Sequence, residues 1–209
     1  MDASVSAAMA RWPDVPACYG WLALDRRGRW RMRDEHVQQH GLLGDVIRHA
    51  ALKSFIDRNY LSDESGAWYF QNGPQRVFVD LEAAPFIFMF DGSGEILVTH
   101  HGHAIEQVDA ALVDESGNFY LASSAGFGLI CDRDLATLVG SLRTLEGHSP
   151  GPDDMLERIA HAPETLRLTV PLANTSMTLA LQSVRSETLA TRYGYIHKPR
   201  GTEASKRLV

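Results

Sequence analysis

The stretch WYFQNGPQRVFVDLEAAPFIFMF, residues 68–90, decides the fold, because it reads as three consecutive β-strands. Successive side chains of a strand point to opposite faces. Val77, Val79 and Leu81 therefore point one way, and Arg76, Asp80 and Glu82 the other, with Phe78 among the polar set. That pattern predicts one buried and one mostly wet face. After Pro85 the chain turns uniformly apolar from Phe86 to Phe90, as suits a strand covered on both sides. Asn72-Gly73 resembles a two-residue hairpin turn, but Pro74 has no N–H to return across it, so a wider loop is expected. Gln71, Asn72, Gln75 and Arg76 surround that turn, and Phe78 stands beside them on the polar face. These five residues form the predicted ligand-binding surface.

Working outward, an acidic–x–x–Gly–x–aromatic turn recurs at Asp25 to Trp30, Asp63 to Trp68 and Asp114 to Phe119. The acid can hydrogen-bond the local backbone, glycine takes a positive φ without a steric cost, and the aromatic opens a strand. Hairpins are predicted over Gly20 to Leu24 with Arg29 to Met32, and over Asp109 to Val113 with Asn118 to Ala122. Apolar residues at helical spacing predict helices between Gly41 and Tyr60 and from Asp132 to Leu142; the first carries two offset stripes that imply a bend or two shorter helices. Pro152 opens a further helix to His161. Strands return over Leu166 to Leu172, Met177 to Val184 and Leu189 to Ile196.

The fold class is therefore α+β, in two small units of antiparallel β-hairpins and sheet, each with a packed helix. Residues 17–104 form the first unit, 105–196 the second, and 197–209 a basic disordered tail. Hairpin, helix and strands occur twice in that order, which predicts an internal duplication at the level of architecture.

The formal charge of −6 over 209 residues opposes a broad phosphate-binding surface, so nucleic acid is an unlikely partner outside the tail of His197, Lys198, Arg200, Lys206 and Arg207. Two cysteines, Cys18 and Cys131, are too few for a disulfide framework and point to a reducing, cytoplasmic location. No run of apolar residues approaches the ~20 of a membrane span.

Several motifs fail on inspection. Gly147-His148-Ser149-Pro150-Gly151 matches the nucleophile elbow in letters, yet Pro150 lacks the N–H that the oxyanion hole needs. Gly126-Phe-Gly128 begins a dinucleotide fingerprint, but Cys131 stands at the third glycine and no βαβ unit surrounds it. His36 and His40 are spaced along a helix without the Glu of a metalloprotease motif. Cys131 reads as a small buried hydrophobe, and Asp80, Glu82 and Arg76 as cross-strand charge pairs. No catalytic residue and no cofactor is predicted. His100, His101 and His103 remain as a ligand cluster; if the strand from Glu95 continues, His101 and His103 share a face and are the predicted metal ligands.

The strings Phe55-Ile-Asp-Arg-Asn-Tyr60, Gly66-Ala-Trp-Tyr-Phe-Gln-Asn-Gly-Pro-Gln-Arg-Val77, Leu81-Glu-Ala-Ala-Pro85 and Gly126-Phe-Gly-Leu-Ile-Cys-Asp-Arg-Asp-Leu135 resemble an uncharacterised proteobacterial family known only as a domain of unknown function. The order of elements is also similar to a second uncharacterised bacterial family, with glycine–aromatic turns before a helix and short sheet in each of two units. Neither resemblance carries catalytic residues to this chain. The expectation is a non-catalytic binding or regulatory module for a small molecule, a peptide or a partner protein, including a second copy of itself. The alternative is a metal-dependent hydrolase built on the His100–His103 cluster.

Overall fold

The computed structural model describes residues 1–201; the predicted tail beyond Gly201 lies outside the described residues. The fold is α+β with two mixed sheets, one of six and one of eight strands. The chain divides into two compact units. One comprises Met1–Asp25, Arg29–Ala83 and the segment from Gly194; the other comprises Arg26–Gly28 and Ala84–Tyr193.

In the first unit, helix α1 (Ala3–Arg11) precedes β1 (Cys18–Leu24), β2 (Trp30–Met32), α2 (Glu35–Gln39), β3 (Asp45–Val46), α3 (Ala50–Arg58), β4 (Tyr60–Ser62), β5 (Trp68–Asn72) and β6 (Gln75–Leu81). The sheet order is β3-β2-β1-β6-β5-β4. Two antiparallel meanders are thus joined through the parallel pair of β1 and β6. The helix predicted from Gly41 starts later because Gly44 sits at φ +85°, with a would-be Cβ 2.2 Å from the Met32 carbonyl oxygen. That position only glycine can take, and it seats β3 on β2 instead. Helix α1 was not foreseen. The buried Asn59 secures it, accepting from the Asp2 amide at 2.8 Å, while Arg58 pairs with the Asp2 carboxylate.

The second unit runs β7 (Phe86–Phe90), β8 (Leu97–Thr99), β9 (Val108–Asp114), β10 (Phe119–Ser123), β11 (Gly126–Ile130), α4 (Leu135–Val139), β12 (Leu142–Thr144), α5 (Pro152–His161), β13 (Leu166–Pro171), β14 (Ser176–Val184) and α6 (Leu189–Tyr193). Its sheet order is β12-β13-β14-β9-β10-β11-β7-β8. Strands β11-β10-β9 and β14-β13-β12 again form two meanders joined by a parallel pair, β9 with β14, as β3-β2-β1 and β6-β5-β4 do in the first sheet. The hairpin of β7 and β8 is added beside β11. The edge strands β3, β4, β8 and β12 contain only two or three residues each, which blunts the exposed edges expected to support self-association.

Several expectations are corrected. The three strands of residues 68–90 form, but β7 leaves the first sheet to pair with β11, so the first unit breaks off at Ala83 rather than at residue 104 and resumes at Gly194. The turn after β5 is tight. Asn72 pairs with Gln75 around Gly73-Pro74, and Gly73 at φ +57° before a proline has the sign pattern of a type II′ turn. Pro74 stands at a turn position whose N–H the ladder does not use. Strand β6 lies between β1 and β5 and has no wet face over Phe78–Leu81. Leu189–Tyr193 is helical instead of extended, ended by Gly194 at φ +65°. Within the predicted tail, residues 197–201 pack on the first unit: the Leu81 amide donates to the His197 carbonyl at 2.7 Å.

Candidate functional site

The site lies where the first sheet departs from regularity. Strand β1 pairs with β6 as Cys18 with Val77 and then Leu22 with Val79, so Tyr19, Gly20 and Trp21 stand opposite Phe78 alone. This is a β-bulge between the two central strands, a device that re-aims side chains. Gly20 makes it feasible: its φ is +80°, and a Cβ there would lie 2.5 Å from Gln38 Oε1. The corresponding parallel pair in the second unit, β9 with β14, runs in unbroken register. Topology alone therefore does not demand the bulge.

Its consequences are local. The Tyr19 ring is pushed flat onto Phe78, with centroids 4.6 Å apart and planes 3° from parallel. Burial, and behind it the Asp63 carboxylate, pushes the Tyr19 phenol up from its ordinary value. Trp21 is left 43% exposed. Both line a groove of about 710 Å³ together with Cys18, Arg33, Gln38, Asp80 and Arg200. That volume falls in the range typical of small-molecule sites, roughly 300–1,000 Å³. A smaller cavity of about 240 Å³ shares Arg33 and Asp80 and is bordered by Leu42, Leu43, His197 and Lys198.

Asp80 organises the charge. Its carboxylate accepts from Arg33 Nη1 at 2.5 Å and from Arg200 Nη1 at 3.0 Å. Arg33 is held from behind: its amide donates to the Trp21 carbonyl at 2.9 Å, its Nε to the Leu42 carbonyl at 3.2 Å, and Gln38 Nε2 donates to the Arg33 carbonyl at 3.2 Å. The side chains of Arg33 and Asp80 are only 10% and 6% exposed, whereas that of Arg200 is 57% exposed. Arg200 arrives on the strap of residues 194–201. Tyr195 donates to the Ala83 carbonyl at 3.0 Å, the Ile196 amide to the Gly66 carbonyl at 3.1 Å, and Arg200 Nη1 also to the Pro199 carbonyl at 2.8 Å.

The predicted ligand surface is differently placed. Phe78 is 6% exposed beneath Tyr19 and Tyr69, so the exposed aromatic that motivated the prediction is part of a small core cluster. Gln71 is buried and donates to the Gly73 carbonyl, Gln75 reaches the Pro16 carbonyl, and Arg76 lies 4.8 Å over the Tyr69 ring. Asn72 is exposed at the turn. The charge pairs foreseen among Arg76, Asp80 and Glu82 are replaced by those of Asp80 with Arg33 and Arg200.

The histidines do come together, but not along a strand. Strand β8 ends at Thr99, and a turn with Gly102 at φ +83° returns the chain, so the Thr99 amide donates to the His103 carbonyl at 2.9 Å. The rings of His101 and His103 meet edge to face at 4.4 Å, with His101 Nδ1 3.2 Å from Thr99 Oγ1. Among the described residues, no group of three or more His, Cys, Asp or Glu side chains is arranged to hold a metal ion. Burial, with the nearby His103 adding to it, holds His101 down from its ordinary 6.5 to about 4.

A folded-state value below the unfolded one means that the unfolded chain binds more protons between these limits. Stability is therefore expected to be fully present above pH 6.5 and to fall toward pH 4, by at most about 3 kcal/mol from this group. Unfolding by denaturant across that range should show the slope. His101→Gln should flatten it; an unchanged slope in the variant would remove His101 as its source.

The groove residues Tyr19, Trp21, Arg33, Gln38 and Arg200 were not foreseen as a site. The available signal was Gly20 inside a strand pattern, a common mark of a bulge. Among the described residues, no helix is long and apolar enough to cross a membrane.

The family model DUF2944, described as "Protein of unknown function (DUF2946)", matches residues 1–200. This agrees with the expected membership of an uncharacterised family. No curated protein matches the chain. Among solved structures, the chain is similar to a DUF1285 family protein from Silicibacter pomeroyi DSS-3, with 17% identity over 72% of this chain and 93% of that one and a TM-score of 0.42.

Proposed function

We propose that this chain, which belongs to the DUF2944 family of proteins of unknown function, is a non-catalytic binding module whose ligand site is the groove at the β1 bulge of its first unit. The observation that carries the proposal is the bulge itself. It interrupts the central strand pair, costs regular pairing, and leaves a large aromatic exposed beside a buried ion pair, while the matching pair β9 and β14 has no such break. Bulges are over-represented next to active sites as well as at sheet edges and barrel rims, and a break in a local rule marks a functional or strained site. The equivalent meanders of the two sheets support an internal duplication in which the first copy took on binding. Two free cysteines support a cytoplasmic setting in a bacterial cell.

Chemical-shift mapping of the labelled protein against a mixed small-molecule library tests the proposal. Perturbations are expected to cluster on Cys18 to Trp21, Arg33, Gln38 and Asp80, and Trp21→Ala should weaken the hits about 5- to 150-fold, the loss that follows from an aromatic contact of ~1–3 kcal/mol. A cluster on Gln71 to Phe78 would return the site to the hairpin predicted from sequence. Hits confined to the turn of His101 and His103 would favour the metal-centred alternative.

A further inference from the structure

Resting on the groove as the ligand site, we propose that its ligand is a small molecule bearing both an oxyanion and a flat apolar ring, the carboxylate or phosphate held by Arg200 and the ring laid against Trp21. The fork geometry of Arg200 is the first support. Asp80 faces the Nη1–Nη2 edge of the guanidinium, with Nη1 to Oδ1 at 3.0 Å and Nη2 to Oδ2 at 3.5 Å, and the second Nη1 proton goes to the Pro199 carbonyl at 2.8 Å. A guanidinium carries five N–H donors in a fixed plane. Nε–H and the remaining Nη2–H form the other edge, and no residue among those described is hydrogen-bonded there. That edge matches the spacing of two oxygens of a carboxylate or phosphate.

The local charge is the second support. Arg33 and Arg200 against Asp80 leave the groove with one net positive charge, although the whole chain carries −6. Asp80 is engaged by both guanidiniums, so it is not available to receive a cation. An anion gains from this field and a cation does not. The third support is the division of aromatic labour: Tyr19 has one ring face covered by Phe78, while Trp21 is substantially exposed on the same groove wall. Ring stacking and a bidentate fork together define a two-point site.

Calorimetric titration of the full chain with phenylacetate, phenyl phosphate, acetate, inorganic phosphate, indole and benzylamine tests this. An aromatic anion should bind at least about tenfold more tightly than the ringless anions, than indole and than benzylamine. Comparing phenylacetate with phenyl phosphate tells which oxyanion the fork prefers. Arg200→Ala should abolish the advantage of the anion, Arg200→Lys should recover only part of it because a point charge lacks the fork, and Arg76→Ala should change nothing. Arg200 is exposed, so its loss should move the thermal midpoint by no more than about 4 °C. If indole or benzylamine binds as well as the anions and depends on Trp21 but not Arg200, the groove stands and oxyanion capture falls. If no probe binds, or binding is indifferent to both Trp21→Ala and Arg200→Ala, the groove itself fails as the site and this inference with it.

Discussion

Replacing Asp80 with alanine is expected to lower the free energy of unfolding by about 3–5 kcal/mol, the range for removing one partner of a buried ion pair. The cost arises from what remains. Arg33 is 10% exposed, and without Asp80 its charge keeps, among the described residues, only the Leu42 carbonyl at 3.2 Å from Nε as a side-chain partner. Arg33→Ala should cost less, because Asp80 would still be neutralised by Arg200 at 3.0 Å. Arg200→Ala should cost about 1 kcal/mol or less, since the exposed member of such a network is mostly hydrated. The double variant Arg33→Met with Asp80→Leu should recover much of the loss, as apolar replacement of a buried pair removes both desolvation penalties together. Denaturant unfolding monitored by tryptophan emission measures all four. A loss below about 1 kcal/mol in Asp80→Ala would show that water reaches Arg33, and the pair would then not act as a buried one.

The strands were legible where a simple period governs them. Phe86 to Phe90 reads as a doubly covered strand and is one, and Pro152 at the first helical position marks α5 correctly. Which sheet β7 joins was not legible, because an all-apolar strand carries no face preference and its neighbour β11 is marked only by small residues, Gly126 and Gly128, that face the Phe86 and Phe88 rings. Added Cβ atoms would lie 2.7 Å from the Phe86 ring at Gly126 and 2.5 Å from the Phe88 ring at Gly128, so both glycines let β11 accept β7 as a neighbour. Likewise Asp80 reads as a solvent-facing residue by alternation. Its true partners are 47 and 120 residues away in sequence, and no local pattern announces either.

The candidate site was legible only in part. Trp68 to Phe90 supplied Asp80 and Phe78 in their correct strand but assigned both to a wet face, since alternation assumes that a sheet has one. The bulge of β1 covers that face with Tyr19, and the strap from Gly194 covers its end. Gln71, Asn72, Gln75 and Arg76 read as a ligand surface because their roles are local: a side chain returned to Gly73, a paired turn, a contact to Pro16 and a cation over Tyr69. Gln71 Nε2, Gln75 Nε2 and the Arg76 guanidinium are each engaged by neighbouring backbone or a ring, while Gln71 Oε1 is buried without a hydrogen-bond partner among the described residues.

Gly66→Ala is expected to be about as damaging as Asp80→Ala and for a different reason, which separates the strap from the sheet beneath it. Gly66 closes the Asp63 turn at φ +82°, and Gly117 closes the equivalent Asp114 turn at φ +77°. Each loses about 1–2 kcal/mol when a side chain is forced into the left-handed region. They differ in what surrounds them. A Cβ on Gly117 meets nothing within 4 Å, whereas one on Gly66 would lie 2.1 Å from the Gly194 carbonyl oxygen and 3.2 Å from Tyr195 Cα. Those atoms are backbone and cannot rotate aside, so the strap must lift. With it go the Ile196 amide bond to Gly66, the Leu81 amide bond to His197 and the Tyr195 hydroxyl bond to Ala83, each worth about 1 kcal/mol net. The total for Gly66→Ala is then about 4–5 kcal/mol, against about 1–2 kcal/mol for Gly117→Ala. Hydrogen exchange gives the specific signature: the Leu81 amide should lose protection in Gly66→Ala and keep it in Gly117→Ala. Equal destabilisation by the two variants, with Leu81 equally protected, would mean that the strap is not anchored at Gly66. Because Arg200 rides on that strap, a lifted strap also withdraws the fork from the groove, and Gly66→Ala should weaken binding of an aromatic anion about as much as Arg200→Ala although Gly66 does not line the groove.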